Sequence, residues 1–338
     1  MRHPEIAQGG LFIGILCVKI TVNNSLEVAF VEFSIVMNQV IILFVILIIG
    51  YVAGKFNILN ATGTKKLSEV LLFVTSPMMV FHSFFIEYSQ ERLVNILWIM
   101  GMALGMFLIS ILLSKLIYRS FDEKTKPVLL ATAVFSNCGY MGLPLLKALF
   151  GDDGVFYGSF YIVVFYIFLW SYGFILFGGK GTKAQITRKV LTNPSLVAVY
   201  IGLIVFLFGI PVPSFIEGAV LAVGNMTMPL SMLIIGGVIS SVKLATVFND
   251  WRVYMASGVR LILMPLIAAL IVGITGFPTQ LGAILITALA MPAAAATTMF
   301  SEMFDKDAVF ASKCVTISTL LSVLTIPLMV YFGINNLL

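Results

Sequence analysis

What most limits this chain is how far it runs without a charge. No Asp, Glu, Lys or Arg occurs in residues 33–54, 70–86, 93–114, 127–146, 154–179, 190–216, 218–242 or 279–301. Residues 253–274 hold only Arg260, and 308–338 only Lys313. A helix needs roughly 20 apolar residues to cross a bilayer, and short polar loops separate these runs. Charged residues make up 10% of the chain and mean hydropathy is +1.08, whereas a soluble domain carries about 25% charged residues. The pattern predicts an all-α polytopic protein of ten transmembrane helices in the lipid bilayer, placed in the plasma (inner) membrane.

The net charge of +5 points to orientation, not to nucleic acid. Loops after the odd-numbered spans hold Lys55, Lys65, Lys66, Lys115, Arg119, Lys124, Lys126, Lys180, Lys183, Arg188, Lys189, Lys243, Arg252 and Lys306. The other side holds only Arg2, Lys19, Arg92 and Lys147. The positive-inside rule puts the first set in the cytoplasm and both termini outside. Cys17, Cys138 and Cys314 have no metal-ligand or disulfide spacing and read as small packing residues. Residues 1–30, with a faint signal-like "GGLFIGILCV", read as an extension without an assigned role.

Prolines reveal an internal repeat. Pro77 and Pro229 are 152 apart, Pro127 and Pro278 are 151, and Pro144 and Pro292 are 148. "FGDDGVF" (150–156) matches "FDKDAVF" (304–310) at an offset of 154. The chain thus divides into five-helix halves, 31–179 and 190–338, joined by a cytoplasmic linker at 180–189. Because five is odd, the second half enters from the opposite side, giving an inverted repeat as in many secondary transporters.

Within each half one span is built to break. "FSNCGYMGLPLLKALFGDDG" (135–154) and "ALAMPAAAATTMF" (288–300) put proline and small residues inside apolar runs. Proline removes a donor and clashes with the preceding turn. Such a break survives in lipid only when buried in protein or lining a wet cavity. Helices 4 and 9, broken and crossing near the midplane, would each aim a positive half-helix end at the crossing, which suits an anion. The candidate substrate-binding residues are Asn137, Cys138, Gly139 and Pro144 on one side, and Met291, Pro292 and Ala293 on the other.

At these residues the chain resembles the auxin efflux carrier family, of plant auxin exporters and bacterial relatives. "SNCGYMGLPLLKALFGDDG" resembles the carriers' fourth-helix segment, "TNPSLVAVYIGLI" (192–204) their Asn-Pro opening of helix 6, and "MTMPLSMLIIGG" (226–237) and "TIPLMVYFGI" (325–334) also fit. The resemblance covers about 31–338. It implies ten helices in two inverted repeats, a crossover of helices 4 and 9, and elevator-like alternation between a transport domain and a scaffold. It also implies a homodimer through the scaffold, and a substrate site lined by Asn137, Pro144 and Pro292. Two departures argue against auxin itself and against plant-type loop regulation. Ala293 and Ala294 replace the plant Gln-Gly, and the central loop spans only about 180–192.

Ionisable residues inside spans are functional candidates because they are costly there. Lys313 could neutralise a carboxylate substrate, pair with Asp307, or snorkel to the interface; Arg260 reads as structural. Asn38 and Gln39 could bond substrate or tie helices together, and His82 reads as a packing residue. Asp152, Asp153, Asp305 and Asp307 read as helix caps. An enzyme would need metal ligands or a nucleophile with its base; the chain has two histidines, no HExxH, no Gly-x-Ser-x-Gly and no P-loop. No cofactor or metal is implied. The reading is a secondary transporter exporting a small organic anion such as malate or another carboxylate. The alternatives are a channel-like facilitator and a carrier of an auxin-like weak acid.

Overall fold

The computed structural model describes residues 33–179, 182–242 and 247–335, so the extension at 1–30, Cys17, Lys180 and Lys243 lie outside the described residues. Among those described, no strand forms, and helices follow one another through short turns. Helix α1 is Phe33–Lys55. Helices α2 (Ala61–Val70) and α3 (Ser76–His82) join through a π turn at Leu71–Thr75. Helix α4 is Gln90–Ile117, started by the Ser89 hydroxyl on the Arg92 amide, and α5 is the short Lys126–Val134.

Helix α6, Leu143–Phe168, continues from a π turn at Cys138–Gly142 and runs on through a second one at Leu169–Gly173. It is interrupted at Gly151, whose φ of 63° and ψ of −145° belong to a region open only to glycine. The broken helix therefore ends at this turn, and a separate rod begins after it. Helix α7 (Lys183–Leu191) opens on a reciprocal Thr182–Gln185 cap and meets α8 (Pro194–Phe208) at 64°. Lys189 of α7 lies over the Trp170 and Phe174 rings, as expected of a helix lying at an interface.

The second half continues with α9 (Ser214–Asn225) and α10 (Thr227–Ser241). Helices α11 (Trp251–Gly258) and α12 (Met264–Thr275) join through a π turn at Val259–Leu263. The last three are α13 (Thr279–Ala290), α14 (Ala296–Met303) and α15 (Ala308–Asn335).

Six helical stretches are long and apolar enough to span a membrane: Phe33–Lys55, Gln90–Ile117, Cys138–Leu176 with its interruption at Gly151, Ser214–Ser241, Trp251–Thr275 and Ala308–Gly333. The bent pair Ala184–Leu191 and Pro194–Phe208 makes a seventh if taken as one span. Ten spans would require the remaining pieces to cross as well. Those pieces are short, and α2 also carries Lys65, Lys66 and Glu69. Large apolar side chains such as Leu97 and Ile274 are 72% and 74% exposed, an outward-facing surface suited to lipid and not to water.

Two bundles pack together. Helices α4, α5, α6 and α11–α15 contact one another, whereas α3 packs on α8 and α9, and α2 on α10. Helix α1 joins the second group by backbone approach. A Cβ on Gly50 would lie 2.4 Å from the Leu233 carbonyl oxygen, and one on Gly236 would lie 2.0 Å from that of Leu47. Small residues that let backbones meet are how helices associate when lipid removes the hydrophobic drive. Between the bundles, Met141, Leu145 and Met291 pack against Val40, Leu43 and Leu47 of α1 and Met232 and Ile235 of α10.

Candidate functional site

The site is built where α5 and α13 stop. Helix α5 ends at Val134, and Phe135 turns extended (ψ 109°). Helix α13 ends at Ala290, and Met291 turns extended (ψ 148°), the conformation a following proline enforces. The two extended pieces then pair antiparallel through Ser136 and Ala293. The Asn137 amide donates to the Pro292 carbonyl at 2.7 Å, and the Ala294 amide donates to that of Phe135 at 2.9 Å. The Ala293 amide donates to the Ser318 hydroxyl of α15 at 3.1 Å. Backbone groups that cannot be left bare in an apolar interior are thus satisfied by the opposite break.

One side chain holds both helix ends. Arg260, in the π turn between α11 and α12, is 0% exposed. Its Nη1 donates to the carbonyls of Ala133 (2.8 Å) and Val134 (3.4 Å), its Nε to that of Met291 (3.2 Å), and its Nη2 to that of Leu289. These are the orphan acceptors at the C-termini of α5 and α13, where a cation is favoured. Beyond the breaks, the π turn at Cys138 and helix α14 both begin without a side-chain cap.

Two polar side chains there make no side-chain hydrogen bond among the described residues. Asn137 is 5% exposed and its amide makes no hydrogen bond among the described residues. Thr297, in the first turn of α14 and 2% exposed, has a buried hydroxyl without a partner. Leaving a buried hydroxyl such as that of Thr297 unpaired costs about 1–3 kcal/mol, which a bound ligand would recover.

The family of membrane transport proteins matches residues 35–191 and 183–330. The chain belongs to this family, that of the auxin efflux carriers. An uncharacterized transporter of Methanocaldococcus jannaschii is 25% identical over 312 residues, 88% of this chain and 99% of the relative. An uncharacterized transporter of Methanothermobacter thermautotrophicus is 26% identical over 296 residues, 86% of this chain and 96% of the relative. The protein is accordingly a membrane transporter and not an enzyme.

In this transporter the predicted residues gather unevenly. Asn137, Cys138, Met291, Pro292 and Ala293 line the paired breaks and are buried. Gly139 and Pro144 sit differently from expectation. The chain leaves helical geometry at Phe135–Asn137, ahead of Gly139, which lies in the π turn, while Pro144 sits in the first turn of α6. A proline is tolerated in a first helical turn because its missing donor is unpaired there anyway. The break therefore falls about two turns upstream of it.

Lys313 and Asn38 are not drawn in. Lys313 is half-buried on α15, where its charge reaches Asp250, which favours the snorkelling reading. The Asp250 carboxyl is held below the usual carboxylate range, first by its hydrogen bond with Arg252. Asn38 is exposed on α1.

One reading is sharpened and two are corrected. Arg260 is structural in a more specific sense than a lone intramembrane arginine suggests, since it ties both broken helices. His82 does more than pack: besides lying against Phe85, its Nδ1 is 3.2 Å from Asp152 Oδ1, which also accepts from Lys147. Asp152 and Asp153 are ion-paired rather than capping, the latter with Arg92. Asp307 does cap, accepting from the Phe310 amide at 2.8 Å at the start of α15.

Proposed function

We propose that this protein is a secondary transporter exporting a small organic anion, such as malate or another carboxylate, by alternating access. The ten-span reading counts α2–α3, α5 with the start of α6, α8, and α13 with α14 as crossings beside the long rods. It makes residues 31–179 and 190–338 inverted five-helix repeats joined at 180–189, with both termini outside, in the inner (plasma) membrane. The bundle of α4–α6 and α11–α15 then carries substrate past the bundle of α1–α3 and α8–α10, which also supplies a homodimer contact.

The observation that carries this is the bonded pair of breaks, in which the Asn137 and Ala294 amides each donate to the opposite break. Two uncapped half-helix starts supply loose N–H groups and positive dipole ends, the chemistry of carboxylate recognition. The surface the moving bundle would slide on includes Met141, Met291 and Met232, side chains flexible enough to repack. An inside-negative potential drives an anion outward by about 2.3 kcal/mol per charge per 100 mV.

Counterflow in proteoliposomes tests the reading: load unlabelled malate, citrate, malonate, lactate or indole-3-acetate, then follow uptake of the labelled acid. Trans-stimulated uptake of one acid marks a carrier and its substrate. Flux without trans-stimulation marks a channel-like facilitator, and a response confined to indole-3-acetate marks an auxin-like weak acid. Asn137→Ala should cut counterflow at least ten-fold while the folded protein still inserts; undiminished counterflow would remove Asn137 from the site.

A further inference from the structure

Arg260 is the only charged side chain among the described residues that is fully buried, and all its partners are backbone carbonyls. No carboxylate bonds it. A guanidinium does not lose its proton in a protein, so a full positive charge stands in the interior. What surrounds it decides whether that charge is neutralised.

Four helix ends meet at the crossing. Those of α5 and α13 are C-terminal, each equivalent to roughly half a negative charge. The π turn at Cys138 and the start of α14 are N-terminal, each roughly half a positive charge. The helix ends cancel one another, and the guanidinium is left over. The buried, unpaired hydroxyl of Thr297 and the amide of Asn137 are the polar groups left at the crossing for a ligand.

We infer that the crossing carries about one net positive charge, fixed by Arg260, and that it therefore takes its substrate as a monoanion. This rests on the carrier reading above. The chemical class is a monocarboxylate or the singly ionised form of a dicarboxylate. A consequence follows for transport. The bundle that carries the crossing is charged when empty and neutral when loaded, so the membrane potential acts on the empty return and not on the loaded passage.

The wild-type protein tests this in proteoliposomes clamped by a potassium diffusion potential. The probe is whichever acid of the malate, citrate, malonate, lactate and indole-3-acetate panel shows counterflow. Exchange of labelled for unlabelled acid should change less than about two-fold over 100 mV. Net efflux into acid-free medium should change several-fold, toward the roughly fifty-fold limit for one charge crossing the whole field. Exchange as sensitive to potential as net efflux would overturn the inference while leaving the carrier intact. Absence of counterflow with every acid would overturn both.

Arg260→Lys keeps the charge and should keep exchange insensitive to potential. Arg260→Gln should transfer the sensitivity to exchange, because its loaded form is an anion. If that variant does not fold, the wild-type comparison still decides, and Asn137→Asp gives a second arm. A carboxylate at the crossing should neutralise it and lower counterflow at least ten-fold in folded protein. Undiminished counterflow by Asn137→Asp would count against the charge assignment.

Discussion

Ser318→Ala would test whether the two breaks are held as the bonding pattern implies. Ser318 is 0% exposed on α15; its hydroxyl accepts from the Ala293 amide at 3.1 Å and donates to the Val315 carbonyl at 3.0 Å. The alanine keeps the helix and the shape but leaves the Ala293 N–H facing a methyl group. Ala293 itself is fully buried, so water cannot replace the lost acceptor. An orphaned buried donor costs about 1–3 kcal/mol. Interhelical hydrogen bonds in membrane proteins average nearer 0.6 kcal/mol, so the lower half of that range is expected.

Ser322→Ala supplies the control. Ser322 lies one turn further along the same helix, is equally buried, and donates only to its own Thr319 carbonyl at 2.7 Å. A serine that bonds back to its own helix adds little, so this change should stay within about 0.5 kcal/mol. Equilibrium unfolding of both variants in mixed micelles measures the difference, and counterflow reports whether the break has shifted. A deficit of about 1 kcal/mol or more confined to Ser318→Ala, together with slower counterflow, supports the pinned crossing. Equal effects in the two variants would refute the reasoning, since the Ala293 amide would then owe nothing to Ser318.

Two further changes probe the rest of the scaffold. Gly236→Val would place its Cβ 2.0 Å from the Leu47 carbonyl oxygen, forcing α1 and α10 apart and costing about 1–3 kcal/mol. Gly101→Ala, with nothing within 4 Å of the added methyl, should be neutral or slightly stabilising, and thermal unfolding of the pair checks this. Asp250→Asn should remove the carboxylate that Arg252 grips at 2.9 and 2.7 Å, at a cost of up to about 1 kcal/mol near neutral pH. Because the folded Asp250 carboxyl titrates below its ordinary value, its contribution is complete above about pH 4 and fades as pH falls through the folded value. The gap between wild type and variant should therefore close on acidification, and a gap that widens would contradict the assignment.

Much of this architecture was legible because lipid permits so few solutions. Long uncharged runs point to helices, and proline inside such a run marks a kink, as Pro327 does within α15, or a break that something else satisfies. Matching prolines in the two halves identified the two broken helices before any contact was known. Their exact points of departure were not legible, since Pro144 fits a first helical turn as well as it interrupts a continuous one, and the extended residues fell upstream at Phe135–Asn137. Nor were the pairings of Asp152 with His82 and of Asp153 with Arg92, which come from 70 and 61 residues away; only Lys147, five residues from Asp152, was near enough to suggest itself.

Arg260 shows what a sequence argument could have reached and did not. It stands alone in residues 253–274, and none of the other uncharged runs offers a carboxylate to pair with it. A cation so placed must meet concentrated negative potential of another kind, and in an all-helical protein that means helix C-termini. Only two such ends were expected inside the membrane, those before the breaks in helices 4 and 9. Elimination alone therefore points the guanidinium at Val134 and Ala290 and their neighbours, where the hydrogen bonds to Ala133, Val134, Leu289 and Met291 place it. The same elimination explains why the residue cannot be merely a kink support. With its charge set against both C-termini, the two opposing N-termini are left without compensation, and this is the physical ground on which an anion is proposed there.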